Sequence, residues 1–355
     1  MKMQNQNKKN PFAERLAAFV GKLKEAGVEV ALVCGEANVK ALTGVDCDNA
    51  CLKVTVAPEG RAPGVVFYTD FRYVPMVNRV APWVKVDDLK KMKFKARRIG
   101  YESSITAAKF AKLQKDHKGA TFIDIAAILH DLRAVKTADE IAKLRAAEAL
   151  NDEIWAEAQK SFRPGMTERE MARVIQHLMI ERGEGEAFAT IVCVGKNAAE
   201  CHHVPDDTVW NGREPVLVDM GVKLDGYCSD MTRNLVPARA SKLYRKVYDL
   251  VRRANELGIQ SARPGLTSGR LDAIVRKFLK DNGFEKEFGH SLGHGVGIEI
   301  HEAPWAAKKQ KTVLRPGMSV TIEPGVYLVD NLGVRIEDLV VITDDGCEVL
   351  SHSAK

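Results

Sequence analysis

The feature that most restricts how this chain can fold is a repeat. Ser161-Phe-Arg-Pro-Gly-Met-Thr167 recurs 100 positions later as Ser261-Ala-Arg-Pro-Gly-Leu-Thr267. The offset persists through Met171 and Leu271, Ile175 and Val275, Gly183 and Gly283, and Phe188 and Phe288. Each copy reads as a Pro-Gly turn, a threonine N-cap, an amphipathic helix, a glycine stop and then strands. A unit written twice is expected to pack copy against copy, with a site at the seam.

The strands after each helix carry carboxylates where apolar residues should be. Asp219 sits within Val216-Leu-Val-Asp-Met220, and Asp230 follows a Leu-Asp-Gly hairpin signal at 224–226. In the second copy Glu323 follows Val320-Thr-Ile322, and Glu337 follows Val334-Arg-Ile336, with Asn331-Leu-Gly333 as the expected hairpin. Burying one such acid costs several kcal/mol unless it is paired or metal-bound. Four of them at ~5 Å would repel by roughly 3 kcal/mol per pair at an effective dielectric of ~20. Two divalent ions balance four carboxylates, so a dinuclear site is favoured, and an oxygen-rich shell suits Mn²⁺ or Co²⁺ at least as well as Zn²⁺.

Nitrogen donors cluster in Gly289-His290-Ser-Leu-Gly-His294-Gly-Val-Gly-Ile-Glu-Ile-His301-Glu302. His290 and His294 have helical spacing, but Gly289, Gly293, Gly295 and Gly297 argue against a helix. They suggest instead backbone packed close to something, such as a metal or a substrate. His202 and His203 form a second pair upstream of the first carboxylate strand.

The rest of the chain sets the frame. Its 355 residues suggest two domains. The first third alternates helix and strand: a helix over 12–26, a strand over 28–34, then strands over 52–57 and 64–69 separated by a Pro-Glu-Gly turn at 58–60. Thr137 and Glu140 have capping-box spacing and open a new helix. We therefore expect an N-terminal α/β domain over 1–134 and a second domain over 135–355. The net charge of +6 is accounted for by Lys90, Lys91, Lys93, Lys95, Arg97 and Arg98, which read as a solvated segment rather than a nucleic-acid footprint. Seven cysteines without Cys-x-x-Cys suggest free thiols, Cys201 and Cys228 among them as inert packing. The first twelve residues lack the apolar core of a signal peptide, and no apolar run is long enough to span a bilayer, so a cytoplasmic location is expected.

From about 135 to 345 the chain resembles the pita-bread metallopeptidases, in particular the Xaa-Pro aminopeptidase and prolidase branch. The carriers are Val218-Asp219-Met-Gly with Ser229-Asp230-Met-Thr-Arg233, Gly293-His294-Gly-Val-Gly-Ile-Glu-Ile-His301-Glu, Ile322-Glu323-Pro-Gly and Arg335-Ile-Glu337-Asp. The N-terminal part is more loosely similar to the branch's accessory domain through Ala41-Leu-Thr-Gly44 and Tyr68-Thr-Asp-Phe-Arg-Tyr73, where the family often has Asp-Gly-Arg. The resemblance implies an α+β fold: a duplicated pita-bread (creatinase/aminopeptidase) catalytic domain with a smaller α/β creatinase-like N-terminal domain. It implies Asp219, Asp230, His294, Glu323 and Glu337 as ligands of two divalent ions, with Asp230 and Glu337 bridging. It also implies Glu323 as proton shuttle, His202, His290 and His301 as catalytic or substrate-orienting histidines, Phe188 as the wall of a proline pocket and Arg335 as a substrate-side arginine.

The reading that follows is an Xaa-Pro aminopeptidase, acting on peptides with proline in the second position and expected as a homodimer, with neither nucleic acid nor membrane as partner. An Xaa-Pro dipeptidase is the alternative. A methionine aminopeptidase fits the N-terminal domain less well. A non-enzymatic scaffold or a creatinase-like, metal-free hydrolase would be expected to lack ligands that are all present here.

Overall fold

The computed structural model describes residues 12–58 and 61–355. The chain divides into two compact units between Arg133 and Ala134. Among the described residues, no helix is long and apolar enough to cross a membrane.

The first unit is built on β1 (Val30–Val33), β2 (Cys51–Thr55), β3 (Gly64–Thr69), β4 (Lys85–Asp88), β5 (Arg98–Tyr101) and β6 (Thr121–Asp124), in the spatial order β4-β3-β2-β1-β5-β6. β1 pairs antiparallel with β2 and parallel with β5, so the sheet is mixed. Helices α1 (Ala13–Glu25), α2 (Glu36–Thr43), α3 (Val74–Val80), α4 (Ala107–Asp116) and α5 (Ala126–Ala134) connect or flank these strands. The expected helix over 12–26 is α1, and its stripe of Leu16, Phe19 and Leu23 is buried. The expected strand over 28–34 is shorter at both ends. Part of the expected turn at 58–60 lies outside the described residues. The six basic residues between Lys90 and Arg98 are all exposed.

The second unit holds the repeat. Copy one contains α6 (Ala138–Ser161), α7 (Glu168–Arg182) and the strands β7 (Ile191–Val194), β8 (Val216–Met220), β9 (Lys223–Leu224), β10 (Tyr227–Cys228) and β11 (Met231–Leu235). Copy two contains α8 (Lys242–Ser261), α9 (Ser268–Asp281) and the strands β12 (Gly293–Gly295), β13 (Glu302–Ala306), β14 (Ser319–Ile322), β15 (Gly325–Leu328), β16 (Leu332–Arg335), β17 (Asp338–Ile342) and β18 (Cys347–Val349). The sheets are β11-β8-β7 in the first copy and β14-β17-β18 in the second, with β9–β10, β12–β13 and β15–β16 as two-stranded pairs.

The duplication reaches the level of single hydrogen bonds. Thr167 and Thr267 both cap their helices, and only Thr167 completes a capping box, because Glu170 is replaced by Arg270 in copy two. Thr167 bridges Val209 and Thr267 bridges Val313. Gly165 N–H donates to Trp210 O at 2.8 Å, and Gly265 N–H donates to Leu314 O at 3.0 Å. Met171, Ile175, Leu271 and Val275 are all buried. A buried asparagine on the first helix of each copy then braces the carboxylate strand. Asn151 Nδ2 donates to Met220 O at 3.0 Å, and Asn255 Nδ2 donates to Ile322 O at 2.8 Å.

The two copies are stitched along β11. Thr232 Oγ1 donates to Glu337 Oε2, Arg233 pairs with Asp338 at 2.7 Å, and Asn234 Nδ2 donates to Arg335 O. Arg233 and Asp338 are fully buried, and Lys355 also reaches Asp338 at 2.5 Å, so removing Asp338 would leave the Arg233 charge without its carboxylate.

Two turn expectations fare differently. Residues 224–226 do form a hairpin, with Asp225 and Gly226 at φ 48° and 73°, as a type I′ turn requires. The second hairpin turns at 329–331, with Asp330 at φ 57°. Gly333 is therefore not in the turn; it lies inside β16 opposite Tyr327, where a Cβ would run into the carbonyl of Ala198. Gly333→Ala should lower stability by about 2 kcal/mol or more, since backbone cannot yield as a side-chain tip does. Gly346→Ala, where a Cβ meets nothing within 4 Å, is the control. Urea midpoints should separate the two variants; equal midpoints would contradict the packing described.

Candidate metal centre

Both copies supply the site. Asp219 lies within β8, Asp230 just before β11, His294 in β12, Glu323 just after β14 and Glu337 just before β17. The acids thus occupy or flank strand ends rather than all lying within paired strands. The β14–β17 register, with Ile322 opposite Asp338, places Glu323 and Glu337 at the next rung beyond the ladder. All five line one cavity of about 460 Å³, together with Phe188, His202, His290, His301, Trp305 and Arg335.

The approach is close. His294 Nε2 lies 3.6 Å from Asp230 Oδ2 and 3.4 Å from Glu323 Oε1. One ligand atom each from Asp230, His294 and Glu337 falls within a sphere of mutual distances below 4.8 Å. Carboxylates this near repel by about 4 kcal/mol per pair at an effective dielectric of ~20. Burial, then the charges of Glu337, Asp219 and Glu323, hold Asp230 well above the usual carboxylate range. Burial, then Glu323 and Asp219, do the same to Glu337. Burial pushes Glu323 up to about 8, with Arg335 pulling the other way.

The residues present fit a cation. Asp219 Oδ1 is buried and has no hydrogen-bond partner, the state of a ligand oxygen in waiting. His294 Nδ1 lies 3.1 Å from Gly295 O, which fixes the proton on Nδ1 and turns the Nε2 lone pair towards the acids. Burial, then His301, lowers the His294 imidazole to about 4, so it is neutral at ordinary pH.

A second layer holds these groups. Thr321 Oγ1 donates to Glu323 Oε1 and accepts from His294 N–H, joining two candidate ligands. Arg335 donates to Asp219 Oδ2 at 2.6 Å, to Thr232 Oγ1 at 3.0 Å, to Tyr327 OH at 2.9 Å and to Cys201 O at 3.3 Å. The guanidinium is buried, and most of its five donors are spent on protein groups. Arg335 thereby holds Asp219 while still lining the cavity. His290 is likewise engaged at both ring nitrogens, by Ser291 O at 2.7 Å and Tyr327 OH at 2.9 Å. Burial, then Arg335, takes it down to about 4. His301 stands edge-on to His294 and stacks on Trp305.

Three of the glycines of 289–297 do pack their backbone close to a neighbour, and the neighbour is protein. A Cβ at Gly293 would strike Thr321, at Gly295 the backbone of Ala303, and at Gly297 the Glu302 carboxylate. They let strands close around His294 rather than admit a metal or substrate to the backbone.

Several supporting residues escape the sequence reading. Tyr327 and Thr321 carry no motif, and Thr232 lies within the Ser229–Arg233 motif without a role assigned to it there. Glu148 had a legible signal: with Asn151 it lies on the apolar stripe of Leu144, Ala147, Ile154 and Trp155 on α6. Its fully buried carboxyl accepts from Asp230 N–H at 3.0 Å and Ser351 Oγ at 2.8 Å, and burial pushes it up to about 8.

A buried cavity of convergent acids and a neutral histidine, built at the seam of a duplicated α+β unit, defines a metallohydrolase. Residues 142–344 match metallopeptidase family M24, and residues 15–135 match the Creatinase/Prolidase N-terminal domain. The chain belongs to family M24, is a metallopeptidase and has the pita-bread fold with a creatinase-type N-terminal unit. It is 32% identical over 359 residues to an Xaa-Pro dipeptidase of Lactobacillus delbrueckii subsp. lactis, covering 94% of this chain and 95% of that one. The prolidase structure from Pyrococcus furiosus superposes with a TM-score of 0.88 at 30% identity, covering 95% and 100%. The X-Pro aminopeptidase structure from Thermotoga maritima gives 0.83 at 28%, covering 94% and 98%.

The segment bearing His202 is anchored by its neighbour. His203 Nε2 meets Glu168 Oε2 at 2.7 Å, and its Nδ1 meets Glu200 Oε2 at 3.1 Å. Glu168 also accepts from Val194 N–H, Asn197 Nδ2 and Asp206 N–H. Burial opposes a charge on His203, but Glu168 and Glu200 prevail and hold the imidazole above its ordinary value. That stabilisation is therefore full below pH ~6.5 and is lost as pH rises through the higher folded value. His203→Gln should cost about 2 kcal/mol at pH 6 and less at pH 9. Denaturant titrations of both proteins at the two pH values check this, and a pH-independent difference would contradict a charged His203.

Proposed function

We propose that this protein is an Xaa-Pro dipeptidase working with two divalent ions, held by Asp219, Asp230, His294, Glu323 and Glu337. The observation that carries the reading is the convergence of these five groups in one cavity from both copies of the repeat. Xaa-Pro aminopeptidase, the first expectation from the sequence, is the second reading. The dipeptidase is preferred because a curated relative matched over nearly the whole chain and the Pyrococcus furiosus structure are named for that activity. An oxygen-rich donor set with one imidazole favours Mn²⁺ or Co²⁺ over Zn²⁺.

When bound, the ions would supply an acidified water and a polarised carbonyl. The chain's own groups supply the rest. Glu323, held by Thr321, takes a proton and passes it to the leaving nitrogen. His202 and His301 hydrogen-bond the substrate carbonyl and the charge that grows on it. His290 and Arg335 act through Tyr327, and Arg335 also orients Asp219. Phe188 reaches the cavity because Gly221 has no side chain to block its ring, and it supplies one apolar wall for a proline ring. A peptide bond to proline has no N–H, so selectivity rests on shape rather than on a hydrogen bond.

Chelated protein reloaded with Mn²⁺, Co²⁺ or Zn²⁺ and offered Xaa-Pro dipeptides beside longer Xaa-Pro peptides tests this. Dipeptides should be cleaved at least tenfold faster than tripeptides, and Mn²⁺ or Co²⁺ should restore most activity. Preference for the longer substrates would establish the aminopeptidase reading instead. Asp230→Ala and Glu337→Ala should each reduce turnover by 10³ or more and weaken calorimetric metal uptake while circular dichroism stays unchanged. Near-normal turnover in either variant would overturn the assignment of these acids.

A further inference from the structure

The first unit places two of the chain's seven cysteines side by side. In the antiparallel ladder of β1 and β2, Val33 faces Leu52, so the next rung sets Cys34 opposite Cys51. The type of rung follows from its neighbours. Val56 N–H donates to Glu29 O at 2.9 Å, which makes 29/56 a hydrogen-bonded rung. Rungs alternate, so 31/54 and 33/52 are hydrogen-bonded and 34/51 is not. The Cys34 N–H agrees, because it donates to the Glu102 carboxylate instead of across the ladder. Non-hydrogen-bonded rungs bring Cα atoms to ~4.5 Å, within the span a disulfide accepts.

The surroundings fix this pair. Glu102 also accepts from Gly35 N–H at 2.8 Å and Asn38 Nδ2 at 2.5 Å, which pins the backbone that carries Cys34. Both thiols lie on the sheet face with Val30, Leu32 and Tyr68. Cys47, the other cysteine near in sequence, packs in the separate core cluster on Leu52 and Phe67 and meets Thr69 Oγ1. Cys34 is half-buried and Cys51 is 3% exposed, so an oxidant meets Cys34 first.

We propose that Cys34 and Cys51 are a redox pair that closes to a reversible cross-strand disulfide when the protein meets a peroxide. The Cys34 sulfur attacks the O–O bond of hydrogen peroxide, giving a sulfenic acid and one water. The Cys51 sulfur then attacks the Cys34 sulfur, forming the S–S bond and releasing a second water. Two thiols lose two electrons and two protons, and the peroxide is reduced to water. Its hydrogen bond with Cys34 and burial hold the Cys51 thiol in its protonated form, so Cys34 is the sulfur that reacts first; in the second step the Cys51 proton leaves with the sulfenic hydroxyl as water. The pair is independent of the peptidase reading.

The test uses the full chain. After hydrogen peroxide treatment and alkylation of the remaining thiols, mass spectrometry of the digest should find one peptide joining the Cys34 and Cys51 segments. Free thiols should fall from seven to five, and dithiothreitol should restore all seven. Cys34→Ser should abolish the cross-link, and Cys347→Ser should leave it. Cys34 advancing to the sulfinic acid without a cross-link, or joined to Cys47, would overturn the proposal. The wild-type digest decides this alone should the Cys34→Ser variant fail to fold.

Discussion

Like charges confined at short range govern the second unit. Four carboxylates and an imidazole share one cavity, and burial with mutual repulsion drives Asp230, Glu323 and Glu337 towards their protonated forms. A fold can tolerate that only if the surrounding structure is rigid and the site's working state includes a compensating cation. The bracing follows from this need. Asn151 and Asn255 tie the helices to carbonyls one residue from Asp219 and Glu323. Thr232 and Arg335 tie Glu337 and Asp219 to the opposite copy.

The duplication gives the same scaffold two different supports. In copy one the start of α7 carries Glu168, whose carboxylate gathers Val194, Asn197, His203 and Asp206 and so fixes the segment with His202. In copy two the matching position is Ser268, and the task passes one turn along α9. There Asp272 accepts from Leu292 N–H, while Arg276 donates to Phe288 O and His290 O. The equivalent helix faces thus hold the segments that carry His202 and His290.

Much of this was legible from residues alone. The repeat exposed the helix starts and caps at Thr167 and Thr267, capping-box spacing exposed Thr137, and apolar flanks exposed the strands with Asp219 and Glu323, because each obeys a short-range rule of spacing or capping. The long-range partners were not legible. Arg335 could be placed near the site, but which group its donors would meet depends on β16 lying against β11, which no local pattern encodes. The glycines of 289–297 suggest backbone packed close to something, such as a metal or a substrate; the close approach is by Thr321, Ala303 and Glu302, which lie 28, 8 and 5 residues along the chain from Gly293, Gly295 and Gly297. Glu148 and Asn151 could have been found, since polar residues on the buried stripe of a long helix demand partners.

The seam explains why neither copy could have been simplified. Copy one offers Asp219 and Asp230 without a matching imidazole ligand; copy two offers His294, Glu323 and Glu337. Asp219 is held by Arg335 of copy two, and Glu337 by Thr232 of copy one, so each half orients an acid belonging to the other. Separating the halves would expose the buried Arg233–Asp338 pair and leave both acids without their donors. The repeat is therefore not redundancy. It is the means by which two weakly different units bring acids together that no single strand pair could hold at this distance without a partner sheet to restrain them.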